Sequence, residues 1–157
     1  MSIKTIMVKN HGMIRMEEQV AGAYYPGMLL EEDSNGYYQP HSTSGGNVEP
    51  LVGIEDELSG GNVSTVYVVG RRGAAVYCRP GDEVQLRLAN GQSASRNDLL
   101  ESNGDGYVKV HTPTVDSSQN LHTEYLNAIK FKALEAVDMS DSSAADPSGL
   151  IRARCIG

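Results

Sequence analysis

Two glutamate–histidine couples are the residues in this sequence best suited to chemistry. Glu31 is followed by His41 and Glu101 by His111, ten positions apart in each case. A carboxylate and an imidazole can ligate zinc or another first-row metal, or act as an acid–base pair. The couples lie in two copies of one element, "LLEEDSNGYYQPHS" at 29–42 and "LLESNGDGYVKVHT" at 99–112. Leu29/Leu99, Leu30/Leu100, Glu31/Glu101, Gly36/Gly106, Tyr37/Tyr107 and His41/His111 match at a constant offset of 70. Either the couples converge on a metal or acid–base site, or the copies are similar strand-turn-strand pieces packed around one core. A ten-residue spacing across a turn matches none of the short-spaced ligand motifs, so the scaffold explanation is preferred. No catalytic residue, cofactor-binding residue or metal ligand is assigned.

Other chemistries fare no better. Gly70-Arg71-Arg72-Gly73 has the letters of the loop of KH nucleic-acid domains, but that loop needs flanking helices, and here both flanks read as strands. "VVGRRGAAV" lacks the third glycine and following helix of a dinucleotide fingerprint. "GDEV" resembles turns of lipoyl and biotinyl carrier barrels, yet no assigned hairpin tip carries the exposed lysine those need. No G-x-S-x-G elbow occurs. The sequence predicts no enzyme and no cofactor.

The composition bounds the remaining choices. With 157 residues, 39% hydrophobic and 21% charged, the chain fits one ordered domain. Seventeen glycines, no tryptophan and a single phenylalanine imply many turns around an aliphatic and tyrosine core. A formal charge of −7 disfavours nucleic-acid binding. No stretch reaches the ~18 apolar residues of a membrane span, and "MSIKTIMVKN" lacks a signal peptide's apolar run. A soluble protein made in a cytoplasm is expected, with Cys78 and Cys155 as reduced core residues.

These residues must be held by strands. Residues 1–20 form an extended arm, and 21–157 a single β-rich domain. Pro26-Gly27 turns the chain into the first repeat, and Asn35-Gly36 closes a hairpin. "VSTVYVV" (63–69) has strand composition. "GRRG" leads to "AAVYC", and "RPGD" to "EVQLRLA", where Val84, Leu86 and Leu88 alternate with Glu83, Gln85 and Arg87 as a buried and a wet face. Asn90-Gly91 closes the next hairpin. A helical turn is expected near 121–126, a strand from about 128 to 137, a long tip over 140–149, and a closing strand "LIRARCI". The predicted fold is mainly β, a compact antiparallel β-barrel or sandwich with a short helix and an extended N-terminal arm.

The order of these pieces resembles the head decoration, or capsid cement, proteins of tailed bacteriophages. The likeness runs through "AGAYYPGMLLEE", "VYVVGRRGAAVYCRPGDEVQLRLANGQSASRNDLLES", "GYVKV", "AIKFKALEAVDMS" and "LIRARCI", most of residues 20–156. One departure is Asn97-Asp98, where the family pattern favours Gly-Asp. The resemblance implies a virion protein on the exterior of the capsid, binding the major capsid protein as a homotrimer, bridging its subunits and stabilising the shell. It implies neither a nucleic-acid nor a membrane partner. Ser2, Ile3, Lys4, Thr5, Ile6, Met7 and Val8 are the candidate capsid contact, adding a strand to a capsid edge. The same segment could instead be the first strand of the barrel. An alternative function is a virion-displayed carbohydrate- or host-surface-binding module, with Tyr24, Tyr25, Tyr37, Tyr38 and Tyr107 stacking on sugars.

Overall fold

A computed structural model describes residues 5–10, 12–113, 127–141 and 149–157. Its elements are almost all strands: β1 (Met7–Lys9), β2 (Ile14–Gln19), β3 (Leu30–Glu32), β4 (Tyr38–Pro40), β5 (Leu51–Gly53), β6 (Arg72–Tyr77), β7 (Glu83–Arg87), β8 (Ser93–Ala94), β9 (Leu99–Ser102), β10 (Val108–Val110), β11 (Phe131–Ala133), β12 (Val137–Asp138) and β13 (Leu150–Cys155). The helical content among the described residues is one 3-10 turn, Glu57–Ser59. The expected helical turn at 121–126 and most of the tip at 140–149 lie outside the described residues.

A six-stranded antiparallel sheet runs β1-β7-β13-β11-β9-β10, and a three-stranded sheet runs β2-β6-β5. Two short pairs, β3-β4 and β8-β12, complete the set. The arrangement is sandwich-like, without a closed barrel. The main core lies between the two larger sheets. Val84, Leu86, Phe131 and Ile151 of the first meet Val52, Ala74 and Val76 of the second.

A second core covers the other face of the small sheet. Val20, Tyr24, Met28, Leu30 and Tyr38 pack over Leu51 and Ala75. Buried on both sides, β6 has no polar alternation, and its run Gly73-Ala74-Ala75-Val76 is buried throughout. Its small residues leave room for Tyr24. A Cβ on Gly73 would collide with the Tyr24 hydroxyl, and one on Gly53 would lie 2.8 Å from the Tyr24 ring. The Tyr24 hydroxyl donates to the Ala74 carbonyl at 3.1 Å.

Four sequence expectations need correction. Residues 63–69 do not form a strand: Asn62 accepts from the Ser64 amide (2.8 Å) and Thr65 closes a turn on Asn62. Only Tyr67 bridges to Tyr24 there. Local Asn and Gly turn chemistry overrides the β-propensity of the valines. The supposed wet face of β7 is dry at both ends, because other segments cover it. Arg87 is fully buried, donating to the carbonyls of Pro26 (2.8 Å) and Val63, with its guanidinium 5.1 Å from the Tyr25 ring centre. Glu83 is buried beneath Arg152, Arg154 and Lys9. The Asn90-Gly91 turn exists, with Gly91 at φ 78°, but β8 pairs with β12 rather than back onto β7. Finally, the strand expected over 128–137 is split into β11 and β12.

Asn97, the departure noted above, is the one non-glycine residue with positive φ (77°) among the described residues. Its amide donates to Ala133 at 2.9 Å, and Asp98 receives the Ala133 amide at 2.8 Å. Asparagine tolerates this left-handed conformation, so the position keeps the backbone shape that glycine would provide.

Glu83 carries the clearest electrostatic consequence. Hydrogen bonds from Arg152 (2.7 and 3.2 Å) outweigh the opposing effect of burial. Together with Arg154 (3.1 Å) and Lys9, they hold the carboxyl at about 2. Its folded value is below the ordinary 4.5, so its contribution is complete above about pH 4.5 and disappears as the pH falls towards 2. Glu83→Gln should cost about 2 kcal/mol at neutral pH. It should also flatten the loss of stability between pH 4.5 and 2, as measured by denaturant unfolding at each pH.

Candidate functional site

The duplicated element folds twice in the same way. β3 pairs with β4 through Leu30↔Pro40, Glu31↔Gln39 and Glu32↔Tyr38. β9 pairs with β10 through Leu100↔Val110, Glu101↔Lys109 and Ser102↔Val108. Every pair is the other shifted by 70. The closing bonds also agree: the His41 amide donates to Leu29 at 3.0 Å, and the His111 amide to Leu99 at 2.8 Å. This register brings each glutamate to its own histidine, with Glu101 Oε2 2.6 Å from His111 Nδ1 and Glu31 Oε2 3.7 Å from His41 Nε2.

The hairpins then pack on each other. The Leu29 amide donates to Gly106 (2.8 Å), and the Gly106 amide to His41 (3.2 Å). His41 is buried, with Nε2 2.8 Å from the Asn47 carbonyl and Nδ1 2.7 Å from the Ser102 hydroxyl. A carbonyl only accepts, so Nε2 donates its proton to Asn47. Ser102 Oγ in turn accepts the Gly104 amide at 3.1 Å. Both nitrogens of His41 are thus committed to holding the hairpins and the 44–47 loop together.

Among the described residues, no three histidine, cysteine, aspartate or glutamate side chains gather as a metal site. Burial alone would raise the Glu31 carboxyl. Hydrogen bonds from Ser42 (2.6 Å) and Gln39 (2.8 Å), with the nearby His41, bring it below its ordinary value. These contacts link strands within each hairpin and join the two hairpins.

The groove beside the first hairpin encloses about 640 Å³. Glu31, Glu32, Asp33 and Glu49 line it, over Leu30, Val48 and Tyr77, with Lys130 at its side. Its acidity was not singled out in the sequence, because Glu49 comes from a loop that offers no periodicity.

The proposed contact segment is partly built into the molecule. Ser2, Ile3 and Lys4 lie outside the described residues. Thr5 donates its hydroxyl to Glu55, whose carboxylate also accepts the Ile6 amide at 3.2 and 3.3 Å. Ile6 is fully buried in the main core, and its carbonyl accepts the Gln85 amide at 2.8 Å. Met7 and Lys9 pair with β7, leaving Val8 as the exposed apolar residue (37%) on the outermost strand of its sheet. Residues 14–19 of the expected arm form β2, paired along its length with β6.

Of the five tyrosines considered for sugar stacking, Tyr24 and Tyr38 are buried. Desolvation first, then neighbouring tyrosines or carboxylates, push both hydroxyls up, Tyr38 to about 12. Tyr25, Tyr37 and Tyr107 are half-buried. Cys78 and Cys155 are free thiols buried in the main core, and desolvation chiefly raises both.

No protein family matches the sequence, and no curated protein matches it. The fold does have a likeness among solved structures: the N base of the head fiber gp8.5 of bacteriophage phi29. It superposes with a TM-score of 0.52 at 11% identity, over 92% of this chain and 94% of that one. The two share a β-rich fold along nearly their whole lengths.

The close packing of the two hairpins can be tested at glycine. Gly106 (φ 84°) would place a Cβ 3.0 Å from Met28 Sδ and Pro40 Cβ, whereas Gly36 (φ 81°) faces open space. Gly36→Ala should cost about 1 kcal/mol, from conformation alone. Gly106→Ala should cost about 2–3 kcal/mol in the same urea titration, the excess coming from overpacking between hairpins.

Proposed function

We propose that this chain is a structural protein of a phage virion, displayed on the outside of the head. There it binds the major capsid protein, bridges neighbouring subunits as a homotrimer and stabilises the shell. It acts through binding, with no reaction of its own. The observation that carries this reading is the fold likeness to the base of a head fiber, which extends over both chains almost entirely. The order of sequence elements resembling head decoration proteins supports it independently.

The physics of such a role is mass action. A protein that binds only the assembled shell stabilises it by RT ln(1 + [L]/Kd), about 2.7 kcal/mol at a hundredfold excess over Kd. Three linked copies raise the effective concentration of each weak contact. β1 suits the capsid contact because no described strand pairs with its outer edge, which can receive a strand from a capsid subunit. Ile6 and Glu55 would hold that edge in place.

Mixing the purified full chain with expanded empty heads and imaging by electron microscopy tests the reading. Density at three-fold or quasi-three-fold positions is expected, while bare heads at saturating protein would overturn it. Val8→Asp should lower occupancy at least tenfold with an unchanged melting temperature, because the side chain lies outside the core. Bare heads together with specific glycan-array binding would favour the surface-binding module instead.

A further inference from the structure

The loop between Glu57 and Arg71 leaves apolar side chains in water, Val68 at 49% and Val69 at 61% exposure. Next to them stand Arg71 and Arg72. Arg72 reaches Glu17 at 3.5 Å, but no described residue pairs with the Arg71 side chain. Its backbone is fixed, since the Arg71 amide donates to Val68 and its carbonyl accepts from Val20 at 2.8 Å. The tip is therefore a firmly held turn presenting two valines and a free cation. Exposed apolar residues rimmed by charge mark interaction surfaces.

The acidic groove has the complementary character. Among the described residues no cation pairs with Glu32 or Glu49, whereas Glu31 is already held by Ser42 and Gln39. Lys130, the groove's own cation, donates to Asn127 at 3.1 Å. Val48 and Tyr77 supply an apolar floor. Tip and groove cannot meet within one molecule. Arg72 begins β6 and Tyr77 ends it, which separates them by about 17 Å of extended strand.

We infer that the Val68–Arg72 tip of one copy seats in the acidic groove of the next, with Arg71 between Glu32 and Glu49 and the valines against Val48 and Tyr77. Two different patches meet, so the contact is head-to-tail, the kind that closes into a ring when the rotation per copy permits. The seam deepens the functional reading above and rests on its trimer, which supplies the closing number.

Analytical ultracentrifugation of the full chain at low and high salt, with head binding as a separate readout, tests it. The native chain should sediment as a trimer and dissociate as salt screens the charges. Arg71→Glu and Glu49→Arg should each weaken association at least tenfold, and the double variant R71E/E49R should recover most of it. Single reversals that leave the mass unchanged, or a double variant no better than either, would overturn the seam. A monomer that still decorates heads would also overturn it while leaving head binding intact, and loss of decoration in its R71E variant would reassign the tip to the capsid. A salt-sensitive trimer with these charge effects that ignores heads would support the seam and overturn the functional reading.

Discussion

The architecture depends on β6 being covered twice. A strand in the middle of a three-stranded sheet, with both faces dry, needs an apolar layer above and another below. The large sheet supplies one through Val84, Leu86 and Ile151. The other comes from the segment between β2 and β5, through Val20, Tyr24, Met28, Leu30 and Tyr38. Tyr24 does much of that work, lying over Gly73 and Gly53 with its hydroxyl on the Ala74 carbonyl. Its ring also meets Tyr67 at 4.8 Å, which ties the exposed loop to the same layer.

The duplicated hairpin follows from that demand. The first copy brings Leu30 and Tyr38 onto the small sheet, and the second lies in the large sheet with Leu100 and Val108 in the main core. Placing one copy in each layer gives the layers a shared joint. Leu29, His41, Ser102 and Gly106 make that joint by hydrogen bonds. The histidines are conserved between copies in letter but not in use. His41 is buried and reaches across to the other hairpin, whereas His111 turns to Glu101 within its own.

Much of this was legible from short-range chemistry. Asn35-Gly36, the Pro26-Gly27 turn, β6, β7 and β13 lie where turn residues and apolar runs place them. The common hairpin of the two repeats was visible from the letters alone. Burial was less legible, because it depends on which distant segment covers a face. Arg87 and Glu83 alternate with aliphatics as a solvent-facing row would, yet Pro26, Val63, Arg152 and Arg154 close over them. The valines of 63–69 failed in the opposite sense. They have strand composition, but Asn62 and the glycines before it spend the backbone on turns. The groove was hidden for a related reason, since its carboxylates come from β3, its turn and the 47–50 loop.

The same constraint orders the surface. Because both faces of β6 are occupied inside the molecule, only its two ends reach solvent. One end opens at the arginine tip, and the other runs out at Tyr77 in the acidic groove. A stiff, doubly covered strand holds those ends at a fixed separation and orientation. Charges of opposite sign fixed at opposite ends of a rigid body cannot neutralise each other internally, but they can do so between copies. With a formal charge of −7, copies of the chain repel one another at long range. Among the described residues Arg71 at the tip and Glu32 and Glu49 at the groove have no ion-pair partner, so an approach that brings a tip to a groove would meet less of that repulsion than one that brings like ends together. The placement of the charges at the two ends of the molecule, and not only their total, would then set how two copies approach.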